Sequence, residues 1–120
     1  MVLFGGLTAA GYDNETWVLI GGQWSQRKLT LTPPARSNHS LVTRRDYRDV
    51  VMVAGQDNSK SPVVRHLDVW RWVGAAWIQL PTNKTNPHGC AGNQAVYDES
   101  RKRIVLQGGN GISTYGGSTL

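Results

Sequence analysis

The chain has 120 residues, one ordinary domain by length, and a compact fold of that size buries roughly two-thirds of the surface its unfolded form exposes. Thirteen basic residues against eight acidic ones give a formal net charge of +5, and 14 glycines and five tryptophans stand beside a single phenylalanine. One cysteine excludes an intrachain disulfide framework, and no apolar run approaches the ~18 residues of a membrane helix.

In chain order, the first apolar run is "VLFGG" (2–6), which ends in a glycine pair. "ETWVLIGGQW" (15–24) follows, with Trp17 and Trp24 around a Gly-Gly turn. A proline-rich link leads through "PPARSNHSLV" (33–42) to the charged turn "RRDYR" (44–48) and then to "VVMVAG" (50–55). A variable loop, "GQDNSKSPVVRH" (55–66), precedes "DVWRWVGAAW" (68–77) and "AWIQL" (76–80). "QAVY" (94–97), the basic turn "RKR" (101–103), "RIVLQGG" (103–109) and a glycine-rich tail complete the chain. These segments are short, rich in Val, Leu, Ile and Trp, and bounded by turn residues, which predicts strands. No long stretch carries apolar residues at helical spacing, so essentially no helix is expected.

The segments repeat. "DVVMVAG" (49–55) lies over "RIVLQGG" (103–109) at an offset of 54, and without a gap Val42 meets Val96 and Pro33 meets Pro87. "VLFGG" matches at an offset of 49, with Gly6 over Gly55, and the tryptophan pairs match at 53. One unit is about 50 residues long and holds four strands in succession. Glycine closing the second strand permits positive φ and the close approach of a backbone or ring. The paired tryptophans lie across the outer hairpin, where two indoles cover one face of a small sheet and meet its neighbour.

A unit of this length and order resembles the kelch repeat of β-propellers. "VLFGG", "VVMVAG" and "IVLQGG" supply the apolar run and glycine pair, "ETW…W" and "DVW…W" the spaced aromatics, and "PPARSNHSLV" the proline-arginine-histidine lead into an innermost strand. The middle unit departs from the pattern at Ala54, where a glycine is expected, and the third has "CAGN" (90–93) in place of Arg-x-x-His. The resemblance implies an all-β, kelch-type β-propeller fragment of four-stranded antiparallel blades. Residues 1–32 form a partial first blade, 33–82 a complete blade, and 83–120 a partial third blade with its glycine-rich tail. Known propellers close with about four to eight blades, so a fragment of a little over two leaves sheet faces uncovered. Cyclic homo-oligomerisation, as a trimer or dimer, is the expected completion. The expected role is then a binding and assembly module, with a protein or small-molecule ligand that the residues do not name.

Ligand sites of such rings lie near the axis and in the loops. That directs attention to Arg36, Asn38 and His39 in one unit and to His88, Cys90 and Asn93 in the next. The resemblance gives Arg36 and His39 a bracing role at the junction between blades. Arg36, Asn38 and Asn93 are the candidate binding residues. The chemical alternative is a small hydrolase acting on esters or phosphoesters, with His39, His88 and Cys90 as catalytic candidates. Copies of His39 and His88 converging on a symmetry axis are also candidate ligands for zinc or copper, although no cofactor is predicted. Asp46, Asp49, Asp98 and Glu99 read as turn formers, and Arg65 and Arg71 as solvated. The basic turns read the same way, so nucleic acid and membrane are not expected partners. The lone cysteine, and an opening "MVLFGG" with no basic region and too short an apolar stretch for a signal peptide, lead to a cytoplasmic expectation.

Overall fold

The computed structural model describes residues 1–59, 61–66, 68–81, 90–92, 94–107, 110–111 and 118–119. Among these residues there are strands and turns and no helix. All strand pairings are antiparallel.

The first sheet joins β1 (Val2–Thr8), β2 (Gly11–Ile20) and β3 (Gln23–Arg27) in sequence order. The Gly21-Gly22 turn, with both φ positive, closes β2 onto β3 as the sequence requires. The second sheet holds four strands in the order β4 (Ser40–Arg44), β5 (Asp49–Val53), β8 (Val69–Trp72) and β9 (Trp77–Leu80). Between β5 and β8 the chain makes a small side hairpin of β6 (Gln56–Asp57) and β7 (Val64–Arg65). The third sheet pairs β11 (Gln94–Asp98) with β12 (Arg103–Gln107). β10 (Cys90–Ala91) pairs with β13 (Asn110–Gly111), and β14 (Ser118–Thr119) lies along the free edge of β12.

Strand alternation places the core on both faces of the middle sheet. Met52, Trp70, Trp72 and Trp77 point to one side and pack on Phe4 and Val18 of the first sheet. Val42, Val51, Val53 and Val69 point to the other side and pack on Ile104 and Leu106 of the third. The three sheets therefore stack face to face, with the middle one buried from both sides. The tryptophan pairing differs from the sequence expectation in one respect. Trp77 lies opposite Trp72, with ring centroids 5.4 Å apart, and Trp70 lies opposite Gln79. The turn closed by Val73 N–H to Ala76 C=O (3.1 Å) sets that register.

The two outer sheets each leave a face open. On the first, Leu3 (47% exposed) and Trp24 (43%) lie with Trp17 and Leu19 on the side away from the core. On the third, Val96 is 63% exposed and pairs with Val105 on the side away from the core.

Candidate functional site

The link between the first and second sheets is the most heavily bonded irregular segment described. Its centre is Arg36, whose side chain is fully buried. The main chain of Arg36 ties to the first sheet: its carbonyl accepts from Gly6 N–H (2.8 Å), and its own N–H donates to Asp13 C=O (3.4 Å). Its guanidinium ties to the second sheet. Nη1 and Nη2 donate to the two oxygens of Asp68 at 2.8 and 2.7 Å, Nη1 also reaches Ala54 C=O (3.0 Å), and Nε reaches Pro34 C=O (3.1 Å). Two parallel bonds to one carboxylate fix both partners in a plane. Asp68 accepts a further bond from Trp70 Nε1 at 2.6 Å, which couples the junction to the aromatic core. Burial pushes the Asp68 carboxyl up, but the bonds and charge of Arg36 outweigh it and hold the group below its ordinary value.

Glycine makes room for this junction. A Cβ on Gly55 (φ +103°) would lie 3.0 Å from Arg36 Cδ, 3.0 Å from His39 Cβ and 3.1 Å from Ser37 C=O. A Cβ on Gly5 (φ +64°) would meet Arg36 C=O at 2.9 Å. Gly55→Ala therefore combines backbone strain with overpacking, and its expected cost is about 2–4 kcal/mol, measurable as a lower urea midpoint with unchanged slope. Ala54 occupies the position matching Gly5 and is held at the same φ of 64°.

His39 and His66 flank the junction. The His39 ring sets its edge against Phe4 at 5.8 Å and 78°. Burial and then the Arg36 charge lower its pKa, against the pull of the Phe4 backbone, so the imidazole is neutral near pH 7. Its Nδ1 is buried without a hydrogen-bond partner among the described residues. His66 is likewise lowered, by burial and Arg36, with the Asp68 carboxylate 4.0 Å from Nδ1 opposing them. Asn38 is exposed at φ 57°, and its carbonyl accepts from Gly92 N–H at 2.9 Å. That bond sets the segment after β10 beside the loop before β4. Of the residues singled out in the sequence, Arg36, Asn38 and His39 are thus brought together. His88 and Asn93 lie outside the described residues, and of Cys90 only the backbone pairing with Gly111 is described. No group of three metal-ligating side chains occurs among the described residues.

Sequence reading missed the acidic half of the site. Asp68 is its anion, and a signal existed: an acidic residue stands two positions before the first tryptophan in both "ETW" and "DVW". Glu15, the counterpart, accepts from Gln26 Nε2 at 2.8 Å instead. Asp49 is also no turn former. It is buried at the start of β5, gripped by Arg44 (Nε to Oδ1, 2.8 Å) and by Arg71, whose Nε lies 2.8 Å from Oδ2, so Arg71 is an ion-pair partner rather than a solvated charge. Asp46 links two turns, accepting from Tyr97 OH (2.9 Å) and Lys102 Nζ (3.0 Å).

The class these features define is an all-β stack of antiparallel sheets joined by a buried arginine–carboxylate clasp. No protein-family model matches the chain. Over 113 residues, 91% of its length, the chain is 31% identical to the Homo sapiens protein named Multiple epidermal growth factor-like domains protein 8, and 30% identical to the Mus musculus protein of that name. The Rattus norvegicus protein is 31% identical over the same extent. The chain spans about 4% of the length of these relatives.

Proposed function

We propose that the chain is a kelch-type β-propeller module that works in binding and assembly, and that copies of it close a ring head to tail. The observation that carries the reading is the equivalence of its open and closed faces. By the repeat, Leu3, Trp17, Leu19 and Trp24 of the first sheet correspond to Met52, Trp70, Trp72 and Trp77 of the second. In the second sheet that face is buried. Val96 and Val105 of the third sheet correspond to Val42 and Val51, which are buried too. The molecule therefore exposes at one end the aromatic surface, and at the other the valine surface, that pack against neighbouring sheets in its own interior. Such unlike, complementary ends generate rings when the rotation closes. With three stacked sheets per copy among the described residues, besides two small two-stranded ones, two copies carry six in the stack, inside the range of closed propellers. β14 occupies the edge of β12, which favours seating by faces and hence the dimer. A trimer requires that edge to be yielded to the outer hairpin of the next copy.

A complementation experiment tests the reading. Leu3→Glu with Trp24→Glu blocks one end, and Val96→Glu blocks the other. Each variant alone is expected to run as a single chain by light scattering, and their mixture as a one-to-one pair. A blocked variant that keeps the mass of the parent contradicts head-to-tail closure.

The hydrolase and metal alternatives rest on His39, His88 and Cys90; His39 sets its ring against Phe4, and the side chains of the other two lie outside the described residues. No helix among the described residues is long and apolar enough to cross a membrane. The cytoplasmic placement rests on the single cysteine. The relatives' name carries epidermal growth factor-like domains, a disulfide-dense class of secreted module. A chain with one cysteine is not such a module, and a disulfide-free stack of sheets suits either compartment.

A further inference from the structure

A second site lies at the turn end of the middle sheet, away from the Arg36 junction. There the β4–β5 and β8–β9 turns border an open cleft of about 280 Å³, with Val50, Trp72 and Val73 among its lining residues and Arg44, Arg45 and Arg48 beside them. The acidic residues nearby are already engaged. Asp49 is held by Arg44 and Arg71, and Asp46 by Lys102 and Tyr97. Arg44 is further committed, its guanidinium stacked 4.0 Å over the Tyr47 ring. Arg45 and Arg48 are exposed and have no side-chain partner among the described residues. The cleft thus offers an apolar lining, bordered by two side chains whose guanidinium groups are unspent.

The backbone conformation of Arg48 bears on how the site can be tested. Arg48 is held at φ +53°, a left-handed conformation that glycine or asparagine adopts with less strain. Lys102, its counterpart in the next unit, has the same φ. The shared φ belongs to the four-residue turn that both units use, and in the second turn Lys102 is paired with Asp46, whereas Arg48 borders the cleft.

We propose that this cleft binds a small aromatic anion. The ring lies against Val50 and the edge of Trp72, and the phosphate or carboxylate is clamped by Arg45 and Arg48. Guanidinium matches the planar, two-oxygen edge of either anion, and a cleft of this volume suits a single ring. The site is independent of ring closure, because its walls all belong to the middle sheet and its turns.

Titration of the isotope-labelled full chain with phenyl phosphate, followed by NMR, tests the proposal. The expected result is saturable shifts at the Trp72 indole and at residues 45–48. Phenyl phosphate is expected to bind at least tenfold more tightly than inorganic phosphate or phenol, with benzoate behaving as phenyl phosphate does and added salt weakening both. Arg48→Asn relieves the left-handed strain, so its melting temperature is expected to match or exceed the parent's while its affinity falls at least tenfold. Arg45→Gln is expected to lower affinity similarly with the melting temperature unchanged. Shifts scattered over the surface, inorganic phosphate binding as tightly as phenyl phosphate, or an Arg48→Asn chain that binds as before would each overturn the assignment.

Discussion

Arg36→Ala is expected to destabilise the chain by about 3–5 kcal/mol, a large fraction of the stability of a domain this size. The loss does not come mainly from the attraction between Arg36 and Asp68. It comes from what remains: a largely buried carboxylate without its cation, and the carbonyls of Ala54 and Pro34 without their donor. Adding Asp68→Asn to Arg36→Ala is therefore expected to recover part of the loss, and a double-mutant cycle by urea denaturation measures the coupling. The pH dependence has a defined sign. Asp68 sits below its ordinary value in the folded protein, so the stability it supplies is present above about pH 4 and is lost as pH falls through the folded value. In Arg36→Ala burial, the largest influence on the carboxyl, is opposed only by the Trp70 bond and the His66 charge, so the carboxyl rises. That variant is expected to gain relative stability in acid where the parent loses it. Parallel pH profiles for the two chains would show that the clasp does not carry the junction.

Trp77→Ala is expected to cost a further 3–5 kcal/mol in its own right. Trp77 is 2% exposed and meets the Phe4 ring at 5.5 Å and the Trp72 ring at 5.4 Å. Its Nε1 donates to Thr16 Oγ1 at 2.9 Å, a bond that crosses from the second sheet to the first. Removing the side chain opens a cavity between two sheets and strips the buried Thr16 hydroxyl of its donor. Trp77→Phe keeps most of the apolar area and loses the bond, with an expected cost of about 1–2 kcal/mol. Because the damage lies on one side of the middle sheet, hydrogen exchange is expected to rise in β1 and β2 before it rises in β11 and β12. Equal loss of protection in both outer sheets would mean that the stack opens as one unit, without the separate interfaces inferred here.

Much of this architecture was legible because it rests on short-range rules. Alternation of Val, Leu and Trp over a few residues dictates strands, and Gly21-Gly22 and Gly74 dictate hairpins. That the described residues form no helix follows from the same pattern. The glycine that closes the second strand was read as a place of close approach, and Gly55 lies under Arg36 and His39 for that reason. What escaped the sequence was pairing at long range. Nothing local to Asp68 announces that its partner lies 32 residues upstream, or that Asp49 is buried between Arg44 and Arg71 rather than exposed in a turn. Charged residues beside turns look alike in one dimension, and only the stacking of sheets decides which of them lose water. The side hairpin of β6 and β7 was equally hidden, since "GQDNSKSPVVRH" carries no alternation long enough to mark a strand.

The face equivalence ties these parts together. The middle sheet turns an aromatic surface to the first sheet and a valine-rich surface to the third, and the two open ends repeat those two surfaces. Sedimentation of the 120-residue chain across micromolar dilution, with a melt at each concentration, addresses that account most directly. The expected result is a mass of two or three chains and a melting midpoint that rises with concentration. A well-folded single chain whose midpoint ignores dilution would contradict it.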